Sequence, residues 1–181
     1  MLAPTTSSVC RWRLGLVVLG AGQQFPISTV YHGRLAAGLD TKVVDNRWRR
    51  LDQATINSAC VVYALGISGS YLWGVLSLTM KVSHIREIWD NSTTTSARRR
   101  SHIFVGVLMY LSPLAWYGAW EKFSLAMACF ACGIGAFALN NHLRGYGNGV
   151  FHCFMIPMHW CILTFVASHP ISAPSTAAVA A

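Results

Sequence analysis

Long apolar stretches separated by short polar ones set the pattern of this chain. Four of them, Ala54 to Met80, Ile103 to Trp120, Phe123 to Leu139 and Val150 to Ser168, approach the roughly 20 residues that a helix needs to cross a bilayer. A weaker fifth stretch, Leu14 to Tyr31, is interrupted by Gln23, Gln24 and Pro26, which a membrane helix tolerates where neighbours satisfy the freed backbone groups. The predicted fold is therefore all-α, a polytopic transmembrane helix bundle of four to five spans. A single membrane domain is predicted over residues 1–171, with a disordered Ala/Ser-rich tail over 172–181.

Composition strengthens the membrane reading. Of 181 residues, 54% are hydrophobic and 11% charged, against about 25% charged in a soluble domain. The six acids, Asp40, Asp45, Asp52, Glu87, Asp90 and Glu121, are too few to solvate a water-exposed surface. The net charge of +8 sits in loops between apolar stretches and forms no continuous basic face, which argues against nucleic acid as a partner. Membrane lipids and other membrane subunits are the partners expected, in an endomembrane or the plasma membrane. Residues 1–39 contain no acid, which also fits a targeting segment. That feature makes the mitochondrial inner membrane the alternative compartment. No small-x-small site closes the apolar run before Gln23, so a retained first helix is the favoured reading.

Small residues spaced four apart, Gly66 with Ser70 and Gly74 and Ala128 with Cys132 and Ala136, are expected to let helices approach closely. Cys129 and Cys132 have CxxC spacing but lie in an apolar stretch, where packing explains them. The polar groups carry more information, because burying them in a membrane is costly. Ser28 and His32 lie four apart at the end of the N-terminal stretch, so they share a helix face. Asp52 opens the next helix. His152 and His159 lie seven apart on nearly one stripe of the last. If these helix ends meet, the imidazoles of His32, His152 and His159 face a carboxylate. Such a donor set suits Zn²⁺ holding a water or hydroxide, with Asp52 as the base that orients or deprotonates it.

The strings STVYH, RRLDQATI and GVFHC, at Ser28–His32, Arg49–Ile56 and Gly149–Cys153, resemble motifs of the CREST superfamily of seven-helix membrane proteins. That group includes alkaline ceramidases, the adiponectin and progestin receptor family, hemolysin III proteins and GPI-remodelling lipases. The resemblance implies a shortened version of the seven-helix bundle and a zinc-dependent hydrolase of lipid amide or ester bonds. By the same resemblance, His32 and His152 are zinc ligands, Asp52 holds the zinc-bound water, and Ser28 supports the site. A relative that kept the fold without catalysis is a second reading, and the acid-free N-terminus with aromatic residues near segment ends suits a third, an accessory subunit of a larger membrane complex.

Three departures accompany the resemblance. Asn148 stands where the family's HxxxH has its first His, and the family's first helix is missing. In addition, three helices rather than four are counted between the Asp52 loop and the last helix, which places His32 and His152 on opposite faces unless a segment hides a further crossing. Basic residues cluster both after His32 and between Lys81 and His102. Two successive basic loops suggest that Ala54 to Met80 is not a simple span.

Overall fold

The structure is a computed structural model that describes residues 7–39, 46–90, 96–139, 142–143 and 146–169. These residues form six helices: α1 (Ser7–Ala36), α2 (Arg47–Ser68), α3 (Tyr71–Trp89), α4 (Ser96–Trp116), α5 (Trp120–Ala138) and α6 (Gly147–Ser168). No strand occurs among the described residues. The tail predicted over 172–181 lies outside them.

The stretch Ala54 to Met80 is not one helix. It divides at Gly69, whose φ of 64° ends α2 in the left-handed conformation, with its N–H donating to Leu65 O at 2.8 Å. The Ser68 hydroxyl donates to Ala64 O at 2.6 Å and accepts from the Ser70 N–H at 3.1 Å, stitching the end of one helix to the start of the next. A residue with a Cβ is disfavoured in this conformation by about 1–2 kcal/mol. At this position the Cβ would also stand 3.3 Å from Arg13 Nε. Gly69→Ala is therefore expected to cost about 1–2 kcal/mol, read as a lowered midpoint of unfolding in detergent.

This break makes six helices alternate in direction. At one end lie the C-termini of α1, α3 and α5 and the N-termini of α2, α4 and α6. Arg50 donating to Trp89 O at 3.4 Å, Arg98 paired with Glu87 and the His32–His152 ring contact all mark that end. At the other end Tyr117 donates to Ser68 O at 3.0 Å and Lys122 approaches Ser168. The two basic segments, after His32 and between Lys81 and His102, thus belong to a single end. The added turn explains both the repeated basic loops and the odd crossing count.

The prediction of four to five spans is corrected. Among the described residues two helices, Trp120–Ala138 and Gly149–Ser168, are long and apolar enough to cross a membrane by length and composition, and Ser101–Trp116 is a shorter apolar helix. The other apolar stretches fail because their helices take in polar residues that were read as loop. The α2 helix begins with Arg47, Arg49, Arg50 and Asp52, α3 ends with Lys81, His84, Arg86 and Glu87, and α1 contains Arg11, Arg13 and paired glutamines.

Packing centres on α2, which touches α1, α3, α4 and α6, while α5 lies mainly along α6. The core joins Val17 of α1, Ala64 and Ile67 of α2, Leu111 and Leu114 of α4, and Ile162 and Phe165 of α6. Gly66 permits the closest approach of α1, since a Cβ there would lie 3.1 Å from Arg13 O, Leu16 Cβ and Val17 Cγ2. Gly74 likewise faces Leu65. The stripe of Ala128 and Cys132 differs from expectation, because both are exposed and the buried face of α5 is Ala126, Cys129, Phe130 and Gly133. There Gly133 receives Phe151 and Met155 of α6.

Near the start of α1, Arg13 is wholly buried. Its Nε donates to Gly66 O at 3.0 Å, Nη2 to Ile67 O at 2.5 Å and Nη1 to His169 O at 2.6 Å. Helix C-termini leave carbonyls unsatisfied and carry partial negative charge. One guanidinium therefore caps the ends of both α2 and α6 and ties the first helix to the last. A residue that reads in sequence as part of a basic leader is a structural clamp.

Candidate polar site at one end of the bundle

Four of the five residues singled out in the sequence converge. Ser28 and His32 descend from the last turns of α1, Asp52 stands in the second turn of α2, and His152 in the second turn of α6. The His32 and His152 rings meet edge to face with centroids 6.2 Å apart. Asp52 accepts a hydrogen bond from the Ser28 hydroxyl, and both imidazoles lie within electrostatic reach of its carboxylate. Asp52 is 7% exposed, and its Oδ1 is buried without a hydrogen-bond partner. Around this group Tyr31 packs on His32 and Phe151 on His152.

The fifth residue is elsewhere. His159, seven positions along α6, carries its ring to the middle of the bundle, where Nδ1–H donates to Met155 O at 2.6 Å and Nε2 accepts from the Tyr63 hydroxyl at 2.8 Å. Those two bonds fix its tautomer and use both ring nitrogens. A two-turn offset along a helix amounts to about 10 Å, and the structure uses that distance to build a second polar contact instead of a third ligand.

The zinc expectation is therefore corrected. Among the described residues no group of three or more His, Cys, Asp or Glu can hold a metal ion, whereas a zinc site requires at least three protein ligands in tight geometry. His32 and His152 stand edge to face, Asp52 is held by Ser28, and the third imidazole is committed to Tyr63. The residues present do not fit the ion, and the zinc-dependent lipid hydrolase goes with it.

Comparison with known proteins adds no relative. No family model, no curated protein and no solved structure matches the chain.

Sequence reasoning missed two further polar groups, both on α3. Lys81 is 1% exposed; its ammonium donates to Asn57 Oδ1 at 3.0 Å and sits over Gly106 of α4. One turn on, the rings of His84 and His102 stack with centroids 3.6 Å apart and planes within 7°. Glu87 lies beside them, 3.6 Å from His102 Nδ1 and paired with Arg98. The available signal was a lysine and a histidine three apart at the end of an apolar run. Nothing in their spacing names partners on α2 and α4.

Proposed function

We propose that this protein is a membrane-embedded helix bundle that holds the polar head of a membrane lipid at the Ser28–His32–Asp52–His152 cluster. The observation that carries this reading is the nearly buried Asp52, with one oxygen held by Ser28 and the other without a partner, between imidazoles from α1 and α6. A buried carboxylate oxygen with no donor is unfavourable by several kcal/mol unless something supplies the missing bond. The head group that suits it presents hydrogen-bond donors, such as a hydroxyl, an amide N–H or an ammonium.

The surface supports a membrane setting. The outward faces of α3 and α6 expose Tyr71, Leu72, Val75, Ile156 and Trp160, each more than half accessible. A soluble protein rarely leaves so much apolar surface in water. In this reading α5 and α6 cross the bilayer, and the apolar outer faces of α1, α3 and α4 meet acyl chains. The site end carries Arg34, Arg47, Arg49, Arg50, Arg86 and Arg98, whereas the opposite end holds Arg11, the buried Arg13 and Lys122. By the bias of basic residues toward cytoplasmic loops, the Asp52 end faces the cytoplasm. The order of Ser28, His32, Asp52 and His152 along the chain, and their meeting at one end, support kinship with the CREST scaffold without its metal.

The test is lipid retention. Purified in a mild detergent, the full chain is expected to retain one lipid class enriched about tenfold over the bulk membrane, equivalent to about 1.4 kcal/mol of preference. Asp52→Asn keeps the shape and the Ser28 contact but removes the charge, and is expected to abolish the enrichment. Identical lipid profiles for the two proteins would refute the assignment.

A further inference from the structure

A second histidine pair lies apart from the cluster just described, on the far side of α2. His84 of α3 is buried, and its Nδ1 has no hydrogen-bond partner. The ring faces a small pocket lined by Gln53 and Asn57 of α2, Glu87 of α3, and His102 and Ile103 of α4. Direct contact between α3 and α4 is otherwise sparse, consisting mainly of the Glu87–Arg98 ion pair, Glu87 beside His102 and Lys81 over Gly106, since each helix packs mainly against α2. The cofacial stack of His84 on His102, at 3.6 Å, is thus a principal link between them.

Cofacial rings at this distance are compatible with two neutral imidazoles, or with one proton shared out to a carboxylate. They are not compatible with two positive rings. The charged groups facing the pair are Lys81 and Glu87 from α3 and Arg98 from α4. From α2 come Gln53 and Asn57, neither of which titrates. A first proton on His102 faces Glu87. A second, on His84, meets Lys81 and a charged His102, while Glu87, the carboxylate within reach, is already shared with Arg98 and His102.

We propose that the His84–His102 stack is a proton-operated latch joining α3 to α4, closed while the rings are neutral and released when both are protonated. Histidine is the side chain suited to such switching, because its ordinary titration lies just below neutrality. Burial, followed by the neighbouring His102 and Lys81, pushes the His84 imidazole down from 6.5 to about 4. Burial lowers His102 as well. The sign follows from linkage. The closed stack binds protons more weakly than the open one, so closure is complete above about pH 6.5 and is lost progressively as pH falls toward 4. The displacement from 6.5 to about 4 favours release by up to about 300-fold once the pH lies below 4.

Amide hydrogen exchange of the full chain in detergent micelles tests the latch, comparing about pH 7.5 with about pH 4.5 after correction for intrinsic rates. The amides of residues 84–90 and 98–106 are expected to exchange about 10- to 100-fold faster at the lower pH, with α5 unchanged. His84→Phe with His102→Phe preserves an aromatic stack that cannot take up protons, and is expected to lose the response. Should that double variant fail to fold, His84→Phe alone leaves one protonatable ring and must lose it too. Unchanged protection in the native chain, or a full acid response in either variant, overturns the proposal.

Discussion

Replacing Arg13 by Ala is expected to lower stability by about 3–5 kcal/mol, among the largest effects of any single substitution in this chain. The guanidinium donates to Gly66 O, Ile67 O and His169 O from a fully buried position. Hydrogen bonds from a charged donor contribute about 1.5–3 kcal/mol each, and their loss leaves carbonyls at two helix ends without partners. The clamp also spans nearly the whole chain, from α1 to the residue that follows α6, so its loss affects closure of the bundle as well as a local cap. Arg13→Met separates these contributions. It keeps much of the side-chain volume but none of the donors, and should recover only the cavity part of the loss, about 1–2 kcal/mol. Arg13→Lys offers one charged group in place of a fork and should fall between wild type and Met. Denaturant titration of the purified chain in a fixed detergent orders the three. A Met variant as stable as wild type would show that the carbonyls find other donors.

The helices of the C-terminal half were legible because α5 and α6 are long apolar runs whose only Asp, Glu, Lys or Arg are Glu121 and Lys122 in the first turn of α5. The expected stretches from Phe123 and Val150 begin within three residues of the helices themselves. The same criterion merged α2 with α3. Between Leu65 and Tyr71 the chain reads Leu-Gly-Ile-Ser-Gly-Ser-Tyr, without a charge or a proline. The boundary lies in turn chemistry instead: a Gly able to take the left-handed conformation, flanked by serines that can cap in both directions. Weighing Ser-Gly-Ser as a helix stop would have corrected the crossing count, and with it the apparent separation of His32 from His152.

At the site, the pairing of Ser28 with His32 was readable from a spacing of four on one helix. Their meeting with Asp52 and His152 depends on topology, which no local pattern supplies. The assignment of His159 as a ligand failed for a definable reason: a tyrosine two turns into the bundle offers that ring a hydroxyl 2.8 Å away, and sequence does not show that Tyr63 faces α6. Arg13 was unreadable because a basic residue near a chain start carries the same meaning in a targeting segment as in a clamp. His84 and His102 lie on different helices, and their stacking is set by how α3 and α4 sit on α2.

Gly106→Ala is expected to destabilise the bundle by about 1–3 kcal/mol, through a charge displaced from its partner more than through crowding of backbone. A Cβ at this position would stand 2.9 Å from Lys81 Cε and would overlap the ammonium itself. The lysine tip is flexible and can move. Moving, however, takes the ammonium from Asn57 Oδ1, its hydrogen-bond acceptor, in surroundings where only 1% of the residue meets solvent. A double-mutant cycle isolates this cause. In a Lys81→Leu background the ammonium is gone, and Gly106→Ala should then cost less than about 0.5 kcal/mol, close to the additivity expected of independent sites. Lys81→Leu alone should cost about 1–2 kcal/mol, because the desolvation cost it removes is set against Asn57 Oδ1 left buried without its donor. If Gly106→Ala proves equally damaging with leucine at position 81, the glycine serves close packing of α4 itself and the lysine is incidental to it.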